Sequence, residues 1–348
     1  MFEHSRINKY FKNSNMVSLM DKSSGYVFVV RDWGRDLGFN LEIEKCLREF
    51  HGHENVELIA IPNNASIFEF FTNMMSSKMP KRIYLDTRIF IVDATMLSLA
   101  KHLAEVSAVH NLFKSTKVTP VCMLTDVLKA PGFLLVGELL VHGIGVLIPM
   151  GADSQIRGMS PKSRTKPIFN PISVETGEFL EKSNVKKSKD LYLGGLMYEP
   201  RKTFIERIVS DLSGTEIELS LVSKKSDGYT DYLTELSRYR IVLNTNFVVN
   251  SKEKHMVGRN IEVLHAGSLL LTQNTNLLEE LFTEGEHYIN IESPSDAAEK
   301  IKYFLKNQDE AQAIATAGKE KALNYAKEQF FMKLVNKKID ELNLESYQ

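Results

Sequence analysis

Short apolar runs alternate with longer amphipathic segments along most of this chain, in two successive blocks. Alternation of this kind predicts parallel sheets covered by helices on both faces. The strands predicted for the first block are 26–30, 56–61, 82–85 with 89–92, 120–125 and 145–148, with helices at 41–50, 94–109 and 132–142. Those for the second are 191–193, 217–222, 241–244, 269–272 and 288–291, with helices at 202–212, 229–236, 260–266, 277–282 and 294–306. The predicted fold class is therefore α/β, with two sheet domains.

A stretch without apolar periodicity, residues 157–189, separates the two blocks and contains three prolines and a basic excess. It predicts a linker. The excess charge is either solvated or meets an anionic phosphate or a membrane surface. From residue 310 onward the composition predicts one long final helix. The predicted organisation is an arm at 1–24, a first domain at 25–175, a second at 176–325, and a closing helix at 326–348 that packs back on the first domain.

Composition excludes several classes of protein. The 348 residues contain 43 basic and 44 acidic side chains, which disfavours a dedicated nucleic-acid binder. Two cysteines outside any CxxC spacing predict neither a disulfide framework nor a zinc site. The polar first residues do not form a secretory signal, and no apolar run reaches the ~20 residues of a membrane span. We expect a cytoplasmic protein, at most peripheral to the inner face of a membrane.

Two glycine-containing segments follow predicted strands. The first, 31–38, joins the opening strand to a helix and holds Asp32, Gly34 and Gly38. Asp32 fits a turn or cap as well as a catalytic role. In the second segment a polar loop ends at Gly258, and a short helix is predicted near Asn260. Backbone N–H groups at such a helix start suit a diphosphate.

Charged residues flank that predicted helix start. Glu262, one turn into the helix, is placed to accept hydrogen bonds from vicinal hydroxyls. Arg259 is placed to neutralise phosphate charge. A capping role for Glu262 is the alternative interpretation.

The run RNIEVLHAGSLLLT, residues 259–272, resembles part of a known protein family, and the segments 276–285 and 296–301 share this resemblance. It resembles the nucleotide-sugar-binding half of group 1 glycosyltransferases, and within them the spore-maturation-protein-like branch. Residues 192–201 are similar to the first strand and basic turn of that half, and residues up to Asn244 to its middle strand. The resemblance covers roughly residues 191–338.

This resemblance implies the B-type glycosyltransferase (GT-B) fold, in which two Rossmann-like domains face each other across a cleft. The first domain would bind the acceptor and the second the donor. By position, Glu262 matches the ribose-binding glutamate, Arg201 the basic position at the diphosphate, and Arg259 the preceding arginine. Many retaining relatives carry a glutamate where this chain has Lys254. The implied donor-binding residues are Gly194, Arg201, Lys202, Asn244, Arg259, Asn260, Glu262 and Thr272, and Gly34 and Gly38 would form a loop facing donor and acceptor.

The implied function is transfer of a sugar from a nucleotide-diphosphate sugar to a glycan, lipid or protein acceptor, in polysaccharide or glycoconjugate biosynthesis. Arginines at the departing phosphates would replace a metal, and no cofactor is expected. Candidate catalytic bases are Asp32 and Asp126, followed by Asp93 and His142. The alternatives are a nucleotide-sugar epimerase on the same fold and a catalytically silent binding protein. A dehydrogenase is disfavoured because no GxGxxG follows a predicted strand.

Overall fold

A computed structural model describes residues 25–32, 37–63, 65–77, 79–86, 89, 96–124, 131–151, 165, 167–183, 185–222, 228–247 and 254–342. It contains two five-stranded sheets in which every recorded strand pair is parallel. The α/β fold class predicted from the alternation of patterns is thereby confirmed. No helix in these ranges is long and apolar enough to cross a membrane.

The first sheet has the strand order β2-β1-β3-β4-β5. Its strands are β1 (Tyr26–Arg31), β2 (Val56–Ile61), β3 (Arg82–Asp86), β4 (Thr119–Leu124) and β5 (Val146–Pro149). Its helices are α1 (Gly38–His51), α2 (Ile67–Ser77), α3 (Met96–Thr116) and α4 (Pro131–Val141), with a short 3-10 turn at His53–Asn55. Of the predicted strand segment 89–92, Ile89 lies in a 3-10 turn, and residues 90–92 lie outside the described ranges.

The second sheet has the order β10-β9-β8-β6-β7. Its strands are β6 (Lys189–Gly194), β7 (Leu219–Val222), β8 (Tyr239–Leu243), β9 (Leu269–Thr272) and β10 (Ile289–Asn290). Between the sheets lies α5 (Val174–Lys182). The second sheet is followed and covered by α6 (Arg201–Asp211), α7 (Tyr229–Ser237), α8 (Gly258–His265), α9 (Asn276–Leu281), α10 (Pro294–Lys306), α11 (Gln308–Lys327) and α12 (Phe330–Glu341).

One continuous apolar core joins the two domains. It includes Phe28 and Val30 of the first sheet, Val242 and Leu270 of the second, and Val335 of α12. Each sheet has a further core on its other face. Because burying apolar surface is the main favourable term in association, this shared core holds the two sheets in one arrangement.

The expectation of an irregular linker at 157–189 is wrong for its second half, because α5 lies within it. Ser173 caps this helix by accepting a hydrogen bond from the amide of Thr176. Two carboxylates of α1 also hold its first turn. Glu42 accepts from the Ser173 amide (2.7 Å) and the Thr176 hydroxyl (2.7 Å), and Glu49 accepts from the Val174 amide (3.1 Å).

The expectation of one long final helix is also wrong. Gln329 adopts a left-handed conformation (φ 52°) and separates α11 from α12. The turn directs α12 onto the first domain, where the Asn336 side chain accepts a hydrogen bond from Arg82 of β3 (2.8 Å). The helix α12 therefore packs on the first domain.

The carboxyl edges of the two sheets face each other. Gly38, which follows β1, packs against the ring of Tyr229, which follows β7. Gly151, which follows β5, packs against the carbonyl of Met256, which follows β8. A methyl group at either glycine would overlap its neighbour. Since loops at carboxyl ends carry the ligand sites of open parallel sheets, the space between these edges is where a ligand is expected.

Glu42 tests the junction between α1 and α5. Glu42→Ala removes the acceptor of three buried donor groups on Ser173 and Thr176. We expect the free energy of unfolding to fall by about 2–4 kcal/mol, because unpaired buried donors are costly. Urea denaturation measures this change. Glu178→Ala, which breaks an exposed pair with Lys182, is the control and should stay within about 0.5 kcal/mol of the parent.

Candidate functional site

The end of β6 brings two arginines onto one backbone carbonyl. Arg201, on the first turn of α6, and Arg259, on the first turn of α8, both donate to the carbonyl oxygen of Gly194. The following Gly195 has φ of 118°, and a methyl group there would lie 2.5 Å from Nη1 of Arg259. Glycine is thus required both by the backbone and by the close approach of the guanidinium groups. Two positive charges are concentrated at this edge of the second sheet.

Arg201 is a buried cation, with only 3% of its surface exposed. Its Nη1 atom donates to the Thr245 hydroxyl (2.9 Å), and its Nε atom has no partner among the described residues. Burial, followed by repulsion from Arg259, lowers the pKa of Arg201 to about 10, so it remains protonated at neutral pH. Within the described ranges no carboxylate forms an ion pair with it. A buried positive charge without a carboxylate is costly unless an anion binds nearby, so this edge is suited to an anionic ligand.

Glu262 lies one helical turn beyond Arg259 on α8 and is half-buried. Its carboxylate accepts hydrogen bonds from the hydroxyls of Tyr232 (3.0 Å) and Tyr229 (3.3 Å). The Tyr232 hydroxyl in turn accepts from Nε of Arg259 (2.9 Å). Burial raises the pKa of Glu262, and Arg259 and the two hydroxyls oppose that shift. The carboxylate is therefore held in a fixed orientation near the arginine pair.

Asn244, Asn260 and Thr272 are fully buried. The Asn244 amide donates to Oδ1 of Asn260 (2.5 Å), and the Asn260 amide donates to Oδ1 of Asn246 (3.0 Å). Asn246 is held in turn by Gln273. This network ties the loops after β8 and β9 to the first turn of α8, so it positions that turn. Direct contact of these side chains with a donor stays a prediction.

The remaining predicted residues are dispersed. Lys202 is exposed beside Arg201 and lies 3.8 Å from Glu206. Lys254 is exposed in the loop before α8. Asp32 is exposed directly after β1 at the facing edge, whereas Gly34 and Asp126 lie outside the described residues. The described part of the chain holds no cluster of three or more side chains suited to a metal ion.

Sequence reasoning did not find the two tyrosines of α7. Tyr229 and Tyr232 contact Glu262, and Tyr229 also reaches Gly38 of the other domain. Their spacing of three places them on one helical face, which was a signal available from the sequence. Their partner, however, lies about thirty positions further along the chain. No local pattern connects the two segments.

Residues 201–329 match the family model described as "Glycosyl transferase-like". This segment begins at Arg201 and contains α6–α11 with both arginines and Glu262. No curated protein sequence matches the chain. The likeness to group 1 glycosyltransferases expected for the carboxy-terminal half is confirmed at this level.

Solved structures similar over about nine-tenths of the chain define the fold. Alr3699/HepE from Anabaena, in complex with UDP and glucose, has a TM-score of 0.57 and 12% identity over 89% of this chain and 99% of that one. Sucrose-phosphate synthase from Thermosynechococcus elongatus has a TM-score of 0.60 and 11% identity over 91% and 99%. A glycosyltransferase from Rickettsia africae has a TM-score of 0.57 and 12% identity over 92% and 99%. The chain has the GT-B fold, with two Rossmann-like domains, as predicted.

Gly38 provides a test of the contact between the domains. Gly38→Ala should lower the free energy of unfolding by about 1–3 kcal/mol, because the added methyl group displaces the Tyr229 ring. In a Tyr229→Ala background the same change should cost less than about 0.5 kcal/mol, since alanine is favoured over glycine in helices. Chemical denaturation of the four proteins gives the coupling. If the two substitutions change the free energy of unfolding additively, the contact between Gly38 and Tyr229 is contradicted. Gly25→Ala is the glycine control, because an added methyl group there meets no other atom.

Proposed function

We propose that this protein is a glycosyltransferase that moves a sugar from a nucleotide-diphosphate sugar to an acceptor. The observation that carries the proposal is the convergence of Arg201 and Arg259 at Gly194, with Glu262 one turn further along α8. This group lies at the edge of the second sheet that faces the first domain. It combines positive charge for a diphosphate with a carboxylate for a diol.

Each member of the group has a role in donor binding. Arg201 and Arg259, together with the amide groups at the start of α8, bind the diphosphate. Glu262 accepts hydrogen bonds from the ribose hydroxyls. In the reaction the bond between the anomeric carbon and the diphosphate oxygen breaks, and the acceptor oxygen forms a bond to that carbon. The electron pair of the broken bond leaves with the nucleoside diphosphate, where fixed guanidinium charges stabilise it.

The finer features of the activity follow from the same residues. Because arginines neutralise the departing phosphates, we propose a metal-independent reaction with no cofactor. Complexes of Alr3699/HepE with UDP and with UDP-glucose support a uridine nucleotide and a hexose as the first candidates. Membership of the spore-maturation-protein-like branch is part of the proposal, as are a cytoplasmic location and a glycan, lipid or protein acceptor.

The acceptor side is proposed for the first domain. Asp32 follows β1 at the facing edge and is exposed, so it is a candidate base for the acceptor hydroxyl. In this role Asp32 takes up the proton that the acceptor hydroxyl loses as its oxygen bonds to the anomeric carbon. Asp126 follows β4 in sequence and is the second candidate.

Nucleotide binding is the first test. In a thermal-shift panel of UDP, GDP, ADP, TDP and CMP, we expect UDP to raise the melting temperature, because a ligand that binds only the folded state stabilises it. Arg201→Met should weaken UDP binding about tenfold or more while changing uridine binding less than about threefold. Calorimetric titration measures both affinities. Arg240→Ala, which breaks the ion pair with Asp190 elsewhere in this domain, is the matched control. Equal losses of affinity for UDP and for uridine in Arg201→Met would contradict the assignment of Arg201 to the diphosphate.

Turnover separates the transferase from its alternatives. With UDP-glucose and a panel of oligosaccharide, lipid and protein acceptors, release of UDP should accelerate when the correct acceptor is added, and EDTA should leave the rate unchanged. Coupled detection of UDP measures this rate. Interconversion of free nucleotide sugars without an acceptor would instead establish an epimerase. Binding of UDP with neither reaction would identify a silent binding protein.

A further inference from the structure

Tyr229 makes contacts in both domains. Its ring packs on Gly38 at the first turn of α1, so closely that a methyl group there would overlap it. Its hydroxyl donates to Oε1 of Glu262 on α8. The side chain is half-buried. One residue thus links the carboxylate of the proposed donor site to the acceptor domain.

The two tyrosine hydroxyls bind the Glu262 carboxylate as the two hydroxyls of a vicinal diol would, with one O–H donor on each oxygen. Tyr229 donates to Oε1 of Glu262, and Tyr232 donates to Oε2. Each oxygen of the carboxylate therefore already has one O–H donor. A ribose diol that binds Glu262 would approach these same two oxygens, and because each oxygen can accept a second hydrogen bond, it can join a firmly held hydroxyl and displace a loosely held one.

The two hydroxyls differ in how firmly they are held. Tyr232 also accepts from Arg259 and lies 3.0 Å from the carboxylate. The Tyr229 hydroxyl lies 3.3 Å from Oε1 of Glu262, which is beyond the usual distance for a hydroxyl donor. It has no other hydrogen-bond partner in the described part of the chain. Tyr229 is therefore the hydroxyl that an incoming diol would replace at the lower cost.

We propose that Tyr229 occupies Oε1 of Glu262 before the nucleotide binds, and that a ribose hydroxyl of the nucleotide takes its place. This inference rests on the proposed function, because it places the ribose at Glu262. The Tyr229 hydroxyl competes with the donor, whereas the Tyr232 hydroxyl supports it by orienting Glu262 and Arg259. Because the Tyr229 ring lies on Gly38, donor binding and the contact between the domains are linked.

The test compares two conservative variants of neighbouring tyrosines. Tyr229→Phe keeps the ring on Gly38 and removes only the competing hydroxyl, so UDP should bind about three- to tenfold more tightly. Tyr232→Phe removes the hydroxyl that orients Glu262, so UDP should bind about threefold or more weakly. A purely structural role for both hydroxyls would weaken binding in both variants. Calorimetric titration with UDP measures the affinities.

A matched control and a second variant sharpen the result. Tyr239→Phe removes a hydroxyl that lies 3.2 Å from the Glu235 carboxylate in the same domain, and it should change UDP affinity less than twofold. Gly38→Ala pushes the Tyr229 ring away, so it should also tighten UDP binding. This gain should disappear in the Tyr229→Phe background, because no hydroxyl is left to release.

The outcomes separate this inference from the proposed function. If the parent protein binds UDP and Tyr229→Phe binds it equally or more weakly, the competing role of Tyr229 is wrong while the donor site stands. If the parent protein binds none of the nucleoside diphosphates, the proposed function fails and this inference fails with it. Circular dichroism spectra that match the parent confirm that each variant is folded.

Discussion

Two carboxylates of the first domain hold the helix that connects the two sheets. Glu42 and Glu49 on α1 accept hydrogen bonds from the first turn of α5, the helix that connects the domains. These bonds satisfy amide groups that a helix start leaves unpaired. The shared apolar core then fixes the relative orientation of the two domains. As a result, loops at the carboxyl ends of both sheets approach each other at Gly38 and Gly151.

The donor site that we propose concentrates positive charge where water has limited access. Arg201 is buried beside Arg259, and it donates hydrogen bonds to the Gly194 carbonyl and to Thr245. Such an arrangement costs stability, because the buried charge of Arg201 is repelled by Arg259 and has no carboxylate partner among the described residues. The buried asparagine network behind α8 holds the helix start against this repulsion. Rigid support of this kind is what electrostatic stabilisation of a leaving group requires.

Much of the fold follows from local patterns. Central strands such as β1 and β4 are apolar over most of their length because helices cover both faces, and this made them recognisable. Arg259 and Glu262 also stand together in one short segment, so their chemistry was visible locally. By contrast, α5 has few apolar residues and depends on carboxylates more than 120 positions away. The break at Gln329 likewise carries no glycine or proline to mark it.

The sequence by itself determined the two parallel sheets, their order along the chain, and the basic and acidic residues at the start of α6 and α8. Those features depend on hydrophobic periodicity and on neighbours within a few positions. The tertiary structure decided that Tyr229 and Tyr232 meet Glu262, that Gly38 packs against Tyr229, and that the buried asparagines join the loops after β8 and β9 to α8. Such contacts join segments far apart in the chain, so they exist only once burial of apolar surface has brought the two domains together.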